Sequence, residues 1–354
     1  MTVFVSIISF LAVIIVLILA HEIGHFITAR ATGVRVEEFG IFYPPRLIKI
    51  KRGDTLYSIN AIPLGGFVKM AGEEDPDVPG SLASKKTWVR LLVLASGSVM
   101  NFLLPLLLFT IAYMVPHTMV VGDSLVKEVV ADSPAGKAGI TAGDVILSID
   151  GKEPGNNVDV YRNFDLNLGK EVPLLVQHAD GTQEEISVAS RWKPPEGETP
   201  SGMRVVTANA VETQESYSLW KAIPSGAGAC VETFILFKNG IISMIIGAVP
   251  AELAGPVGIA QVTGEIAQAG ISPLLEFAAF LSINLAILNL FPLPALDGGR
   301  IMFVLIEWVR RGKRIAPKAE GMVHLIGFAL LMVFFLAVTY QDIARIISGE
   351  SLLS

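Results

Sequence analysis

Long apolar stretches alternate with polar ones along the chain. Residues 3 to 20, 91 to 115, 273 to 296 and 323 to 343 each approach or exceed the roughly 20 residues that cross a bilayer core as a helix, and they predict four membrane spans. Between the second and third the pattern changes. From about Thr118 to Ser190 the apolar positions fall into short alternating runs, VKEVV, DVILSIDG and VPLLVQH, broken at Ser133-Pro134-Ala135 and at Gly139 to Gly143. Such runs predict a compact domain of strands and turns.

Residues 191 to 214 carry Pro, Gly and Glu and read as a linker. The next apolar run, Ala227 to Val249, is long enough for a fifth span, but it contains Glu232, Lys238 and Asn239 and is broken by Gly240 and Gly247. A crossing there would also invert every later span. Residues 217 to 249 are therefore expected as amphipathic helices on the outer surface, with GPVGIAQVTG at 255 to 264 as a turn and short helix in the same place. Residues 55 to 70 (TLYSINAIPLGGFVKM) are rich in β-formers and broken by Pro63, Gly65 and Gly66, which predicts a hairpin or paired short strands. Two readings fit this segment equally: a small surface sheet, or a re-entrant edge that takes an extended substrate by strand addition.

Composition agrees with the spans. The 354 residues are 52% hydrophobic, which marks an integral membrane protein with room for a soluble domain. The net charge of -6 is modest, and without a basic stripe interleaved with aromatics nucleic acid is set aside as a partner. Cys230 is the only cysteine, so no intrachain disulfide forms. No Lys or Arg precedes Arg30, and the first apolar run is long for a signal peptide, so it is expected to remain as a span.

Charge orients the spans. Basic residues from Arg30 to Arg90 follow the first, and Arg300, Arg310, Arg311, Lys313, Arg314 and Lys318 follow the third, which puts both loops in the cytoplasm. Both termini and the strand-rich domain then lie outside.

The candidate chemistry sits at the inner end of the first span. His21-Glu22-Ile23-Gly24-His25 is an HExxH string: histidines four apart share a helix face and converge on one zinc ion, and Glu22 stands close enough to activate water. Three ionisable residues at membrane depth cost about 2.5 to 3.5 kcal/mol each on insertion scales, and a metal offsets that cost. The third span ends in NLFPLPALDGG, residues 289 to 299, where Pro292 and Pro294 forbid a regular helix and deliver Asp297 to the same membrane face. Two imidazoles and one carboxylate leave zinc a fourth, open position, as catalytic sites do. The HExxHxxGxxH alternative fails, since Thr28 and Ala31 stand where it needs Gly and His. Asn101, in the second span, is expected to join helices, and His324 to be structural or interfacial.

With these residues the chain resembles the site-2 protease family of intramembrane zinc metalloproteases, close to the bacterial regulator of sigma-E protease type. HEIGHF at 21 to 26, NLFPLPALDGG, GPVGIAQ at 255 to 261 and a PDZ-like insert with the pattern VKEVVADSPAGKAGITAGDVILSIDGKEP carry the resemblance over nearly the whole chain. It departs in having Gly97-Ser98 where the family often has Gly-Pro, and one PDZ-like domain where some relatives have two. The resemblance implies that one Zn2+ per chain is bound by His21, His25 and Asp297, that Glu22 is the general base, and that Asn289 helps hold substrate backbone. It also implies a membrane re-entrant β-hairpin at 55 to 70, so that Gly65, Gly66, Pro292 and Pro294 belong to the elements holding an extended substrate at the metal.

The expected architecture is a membrane helical bundle of about four spans, a cytoplasmic-side re-entrant hairpin and an inserted extracytoplasmic PDZ-like α+β domain. Its parts are residues 1–115 and 273–354 for the catalytic membrane unit, 118–190 for the PDZ-like domain and 191–272 for linker and surface helices. The expected activity is cleavage of transmembrane segments of single-span membrane proteins, such as anti-sigma factors or remnant signal peptides, in a bacterial inner membrane, with the active site near the cytoplasmic face. The PDZ-like domain would meet a peptide or substrate ectodomain and limit access to substrates already trimmed outside. Two other classes compete: a non-enzymatic membrane adaptor with a structural zinc, and a metal transporter. The transporter needs polar residues along a whole pathway, whereas here they gather near one face.

Overall fold

The computed structural model describes residues 2–73, 75–249 and 254–348. In chain order the elements begin α1 (Thr2–Ala31), β1 (Val36–Arg52), β2 (Thr55–Met70), α2 (Thr87–Met114), β3 (His117–Val129), α3 (Pro134–Lys137), β4 (Val145–Ile149) and α4 (Asn157–Leu166). They continue β5 (Glu171–Gln177), β6 (Gln183–Ala189), β7 (Met203–Glu215), α5 (Leu219–Ile245), α6 (Pro256–Ala269), α7 (Ile271–Leu290), α8 (Asp297–Val309) and α9 (Pro317–Ser348). Two compact units result, Met1–Ala112 with Leu253–Ser354, and Tyr113–Glu252.

The first unit is built on α1, which is apolar on all sides and runs unbroken through the HExxH string. It stops at Gly33, whose φ of 71° takes the left-handed conformation that ends helices, while the Val34 amide reaches back to the Ala29 carbonyl at 2.8 Å. Helix α6 lies against α1 so closely that a Cβ on Gly264 would collide with Ser6. Its N-terminus is capped from α9: the buried Asp342 carboxylate accepts from the Gly255 and Gly258 amides at 3.3 and 2.7 Å. The GPVGIAQVTG segment thus forms a turn and helix, with Gly264 admitting α1 and the Gly255 and Gly258 amides taking the cap.

Residues 55 to 70 do not pair with themselves. They form one bent strand, β2, whose partner is β1, a segment the hydrophobic pattern left unassigned. The turn at Gly53-Asp54 closes the pair, with Gly53 at φ 62°. Both strands bend, so that residues 38–41 face 66–69 on one side and 56–59 on the other, while 46–52 face 55–60. Buried Glu38 secures the bend: Arg46 donates to its two carboxylate oxygens at 2.9 and 2.6 Å, and Ser58 Oγ donates at 2.8 Å. These hydrogen bonds hold the Glu38 carboxyl below its usual pKa.

The second unit is an antiparallel sheet in the order β6-β5-β4-β3-β7, with α4 against it and a core that includes Val126, Ile146, Ile149, Phe164, Val172, Leu174 and Met203. Its fifth strand, β7, falls in the stretch expected as linker; alternate residues Met203 and Val205 are buried in the core, and the strand pairs along β3. The outward edge of β7 is closed at Val205 by α4: the Tyr161 hydroxyl accepts from the Val205 amide at 2.8 Å and donates to its carbonyl at 3.0 Å. Asn157 and Thr207 are joined beside it at 2.8 Å.

Five helices are long and apolar enough to cross a membrane, among the described residues: α1, α2, α5, α7 and α9. The chain is a multi-pass membrane protein. Helix α5 is one continuous helix of 27 residues where separate amphipathic helices were expected; neither Gly240 nor Pro224 interrupts it.

Candidate zinc site

Helix geometry and two neighbouring helices build the site. His21 and His25 stand one turn apart on α1, 9% and 5% exposed. The α1 backbone meets α2 through glycines on both sides: a Cβ on Gly24 would lie 2.3 Å from the Ser96 carbonyl oxygen, and one on Gly97 would lie 2.4 Å from His25 Nε2. Asp297 arrives as the first residue of α8. Helix α7 ends at Leu290, six residues short of the expected span end, because Pro292 and Pro294 break it. The 291–296 segment then folds over the first turn of α8; a Cβ on Gly298 or Gly299 would strike the Phe291 or Leu293 carbonyl, which explains the Asp-Gly-Gly sequence.

The three side chains converge. Asp297 Oδ2 lies 3.0 Å from His21 Nε2 and 3.1 Å from His25 Nε2, and the two Nε2 atoms are 3.2 Å apart. Ligand atoms about 2.0 Å from a tetrahedral zinc stand roughly 3.3 Å from one another, so this triangle fits the ion. The donor chemistry fits as well. His25 Nδ1–H donates to the buried Val93 carbonyl at 2.8 Å, which leaves the Nε2 lone pair facing the cluster and orients the ring, as outer partners of zinc histidines do. His21, His25 and Asp297 are the one group of three potential ligands found among the described residues.

The cluster opens on a cavity of about 450 Å³ lined by His21, Glu22, His25, Asn289 and Asp297 from the helices and by residues 65–70 of β2. Gly66 brings β2 against α1, where a Cβ would lie 3.1 Å from Glu22 Cγ, and Gly65 admits the Tyr43 ring of β1, where a Cβ would lie 2.8 Å away. An ion pair between Arg300 and Glu73, 2.8 Å, stands in the same lining. Pro292 and Pro294 are not in the cavity wall; they shape the segment that carries Asp297, and Pro294 rests on Gly327 of α9. Asn101 is fully buried; its backbone carbonyl accepts from Ser282 Oγ of α7 at 2.9 Å, while its side-chain amide, expected to join helices, makes no hydrogen bond among the described residues.

Sequence reasoning missed Gly97, Arg300 and Glu73. Arg300 directly follows the Asp297-Gly-Gly string, which is the only signal that could have drawn notice to it.

An HExxH helix joined by an aspartate from a second helix, in a chain of membrane-crossing length, defines a zinc metallopeptidase of the membrane. Comparison with known proteins agrees: the model of Peptidase family M50 matches residues 9–334, and the chain belongs to that family. It is 35% identical to a candidate zinc metalloprotease of Clostridium acetobutylicum over 93% of this chain and 94% of that one. It is 30% identical to the zinc metalloprotease RasP of Geobacillus kaustophilus, covering 96% and 98%, and 27% identical to the regulator of sigma-W protease RasP of Bacillus subtilis, covering 96% and 99%. The chain is a zinc-dependent intramembrane protease.

Proposed function

We propose that His21, His25 and Asp297 hold the zinc and that Glu22 is the general base for hydrolysis of a peptide bond in the transmembrane segment of a single-span, membrane-anchored protein. The observation that carries this reading is the convergence of three donor atoms within 3.2 Å at the wall of a cavity that Glu22 also lines. Zinc bound there supplies Lewis-acid polarisation of the scissile carbonyl and lowers the pKa of water to about 7. Glu22 takes the proton of the attacking water and passes it to the leaving amine.

A helical substrate shields its own peptide bonds, so it must be extended before attack. The 66–69 segment of β2 pairs with β1 along one edge and lines the cavity, which supports its taking an extended peptide as an added strand, with Asn289 holding backbone from the opposite wall. The substrates proposed are single-span proteins of the anti-sigma-factor class or remnant signal peptides.

Four crossings, α1, α2, α7 and α9, put both termini and the PDZ-like domain outside a bacterial inner membrane and the zinc near the cytoplasmic face. Polar contacts along α5 favour a surface position over a fifth crossing: Glu232 pairs with Arg162 of α4 at 3.0 Å, and Asn239 donates to the Asp165 carbonyl at 2.7 Å. Within the PDZ-like domain, the Tyr161 closure of Val205 favours exclusion of substrate ectodomains over capture of a peptide at that edge.

Metal analysis of the purified chain tests the ligand set. One zinc per chain is expected, retained in Glu22→Gln and lost in His25→Ala and Asp297→Ala; retention in either of the last two contradicts it.

A further inference from the structure

Asp297 reaches the zinc site on an irregular segment, and something must hold that segment still. Two residues before it, Ala295 sits at φ 74°, in the left-handed region where a residue with a Cβ is strained. The Ala295 amide points to α9 and donates to His324 Nδ1 at 3.0 Å. One turn further along the same helix face, Gly327 receives Pro294, so closely that a Cβ there would lie 2.2 Å from the Pro294 Cβ. The His324 ring packs against Phe303 of α8, their centroids 5.4 Å apart. Because Nδ1 accepts, the imidazole is neutral and carries its proton on Nε2.

We propose that His324 is a positioning residue: together with Gly327 it clamps the Pro294–Ala295 turn in its strained conformation and so fixes Asp297 relative to His21 and His25. The inference rests on the zinc-ligand reading of Asp297. Its physical content is a preorganised site. Without the clamp, Ala295 relaxes toward negative φ, which rotates the following peptide units and moves the carboxylate; the donor triangle must then reassemble each time zinc binds.

The test uses the full-length chain in detergent, with zinc affinity read by chelator competition and the folded state checked by thermal unfolding. His324→Leu, which removes the acceptor and keeps the bulk, should weaken zinc about 10- to 100-fold, the range known for outer partners of metal ligands. His324→Asn places Oδ1 near the position of Nδ1 and should stay within about threefold of the unmodified chain. Ala295→Gly makes the left-handed turn unstrained, so adding it to His324→Leu should recover about fivefold. Equal zinc affinity for His324→Leu and the unmodified chain overturns the proposal. So does equal weakening by Leu and Asn with no recovery from Ala295→Gly, since that pattern belongs to a residue that only packs. Asp297→Ala separates the two levels: loss of zinc there with full affinity in His324→Leu overturns the clamp alone, and retention of zinc in Asp297→Ala overturns both.

Discussion

Gly97 of α2 lies against the imidazole of His25 with no room for a side chain: a Cβ would fall 2.4 Å from His25 Nε2 and 2.7 Å from His21 Nε2. Helix α2 therefore backs the proposed zinc site although none of its residues is a proposed ligand. Gly97→Ala should tilt both rings and weaken zinc about 10- to 100-fold, with a matching loss of cleavage at low zinc. Chelator competition checks this, and Gly228→Ala, on α5 with open space around it, serves as a control for glycine replacement outside the site.

The hairpin of β1 and β2 should be acid-labile. Its hydrogen bonds from Arg46 and Ser58 hold the Glu38 pKa below the usual carboxylate value. A depressed folded-state pKa contributes stability that is present above the unfolded value and lost as pH falls through the folded one. Amide exchange in residues 36–70 should accelerate as pH falls below about 4 once intrinsic rates are corrected for, and Glu38→Gln should remove most of that dependence.

Tyr161 should keep peptides off the β7 edge. Its hydroxyl occupies both the N–H and the C=O that Val205 would offer an added strand. Fluorescence anisotropy with an apolar extended peptide should show about tenfold tighter binding to the full-length Tyr161→Ala chain than to the unmodified one. Equal, tight binding to both would show that the edge is already available.

Helix α5 should be reachable from outside. Lys238 is exposed on it. In a Cys230→Ser background, Lys238→Cys should react with a membrane-impermeant maleimide applied to intact cells with the outer face accessible; protection until the membrane is permeabilised would favour a fifth crossing.

Much of the centre was legible because its logic is carried by side-chain chemistry. The four-residue spacing of His21 and His25 puts them on one helix face whatever surrounds them, and charge counts on two loops independently sent Asp297 to the same side. What escaped was set by residues whose contribution is an absence of bulk. Nothing in the sequence distinguishes Gly97, which admits the imidazoles, from a glycine that merely lets helices pack.

Strand β1 was invisible for a related reason. Its residues 46–52 are basic and apolar by turns, as a loop beside a membrane also is, and only the pairing with β2 makes them a strand. Strand β7 hid within a stretch whose Pro and Gly content dominates its first half. His324 was expected to be structural or interfacial, and its contact with the Ala295 backbone lay outside that reading; its reach to the segment carrying Asp297 depends on a tertiary contact across 29 residues, beyond any local pattern.

The central claim is that Glu22 performs chemistry at a zinc held by its neighbours. The most direct test is cleavage of a purified single-span substrate by the full chain in detergent, alongside Glu22→Gln with its zinc content measured in the same samples. Glu22→Gln should keep about one zinc per chain and lose at least about 100-fold in rate, as loss of a general base does. Cleavage by Glu22→Gln at the unmodified rate with zinc in place would contradict the account.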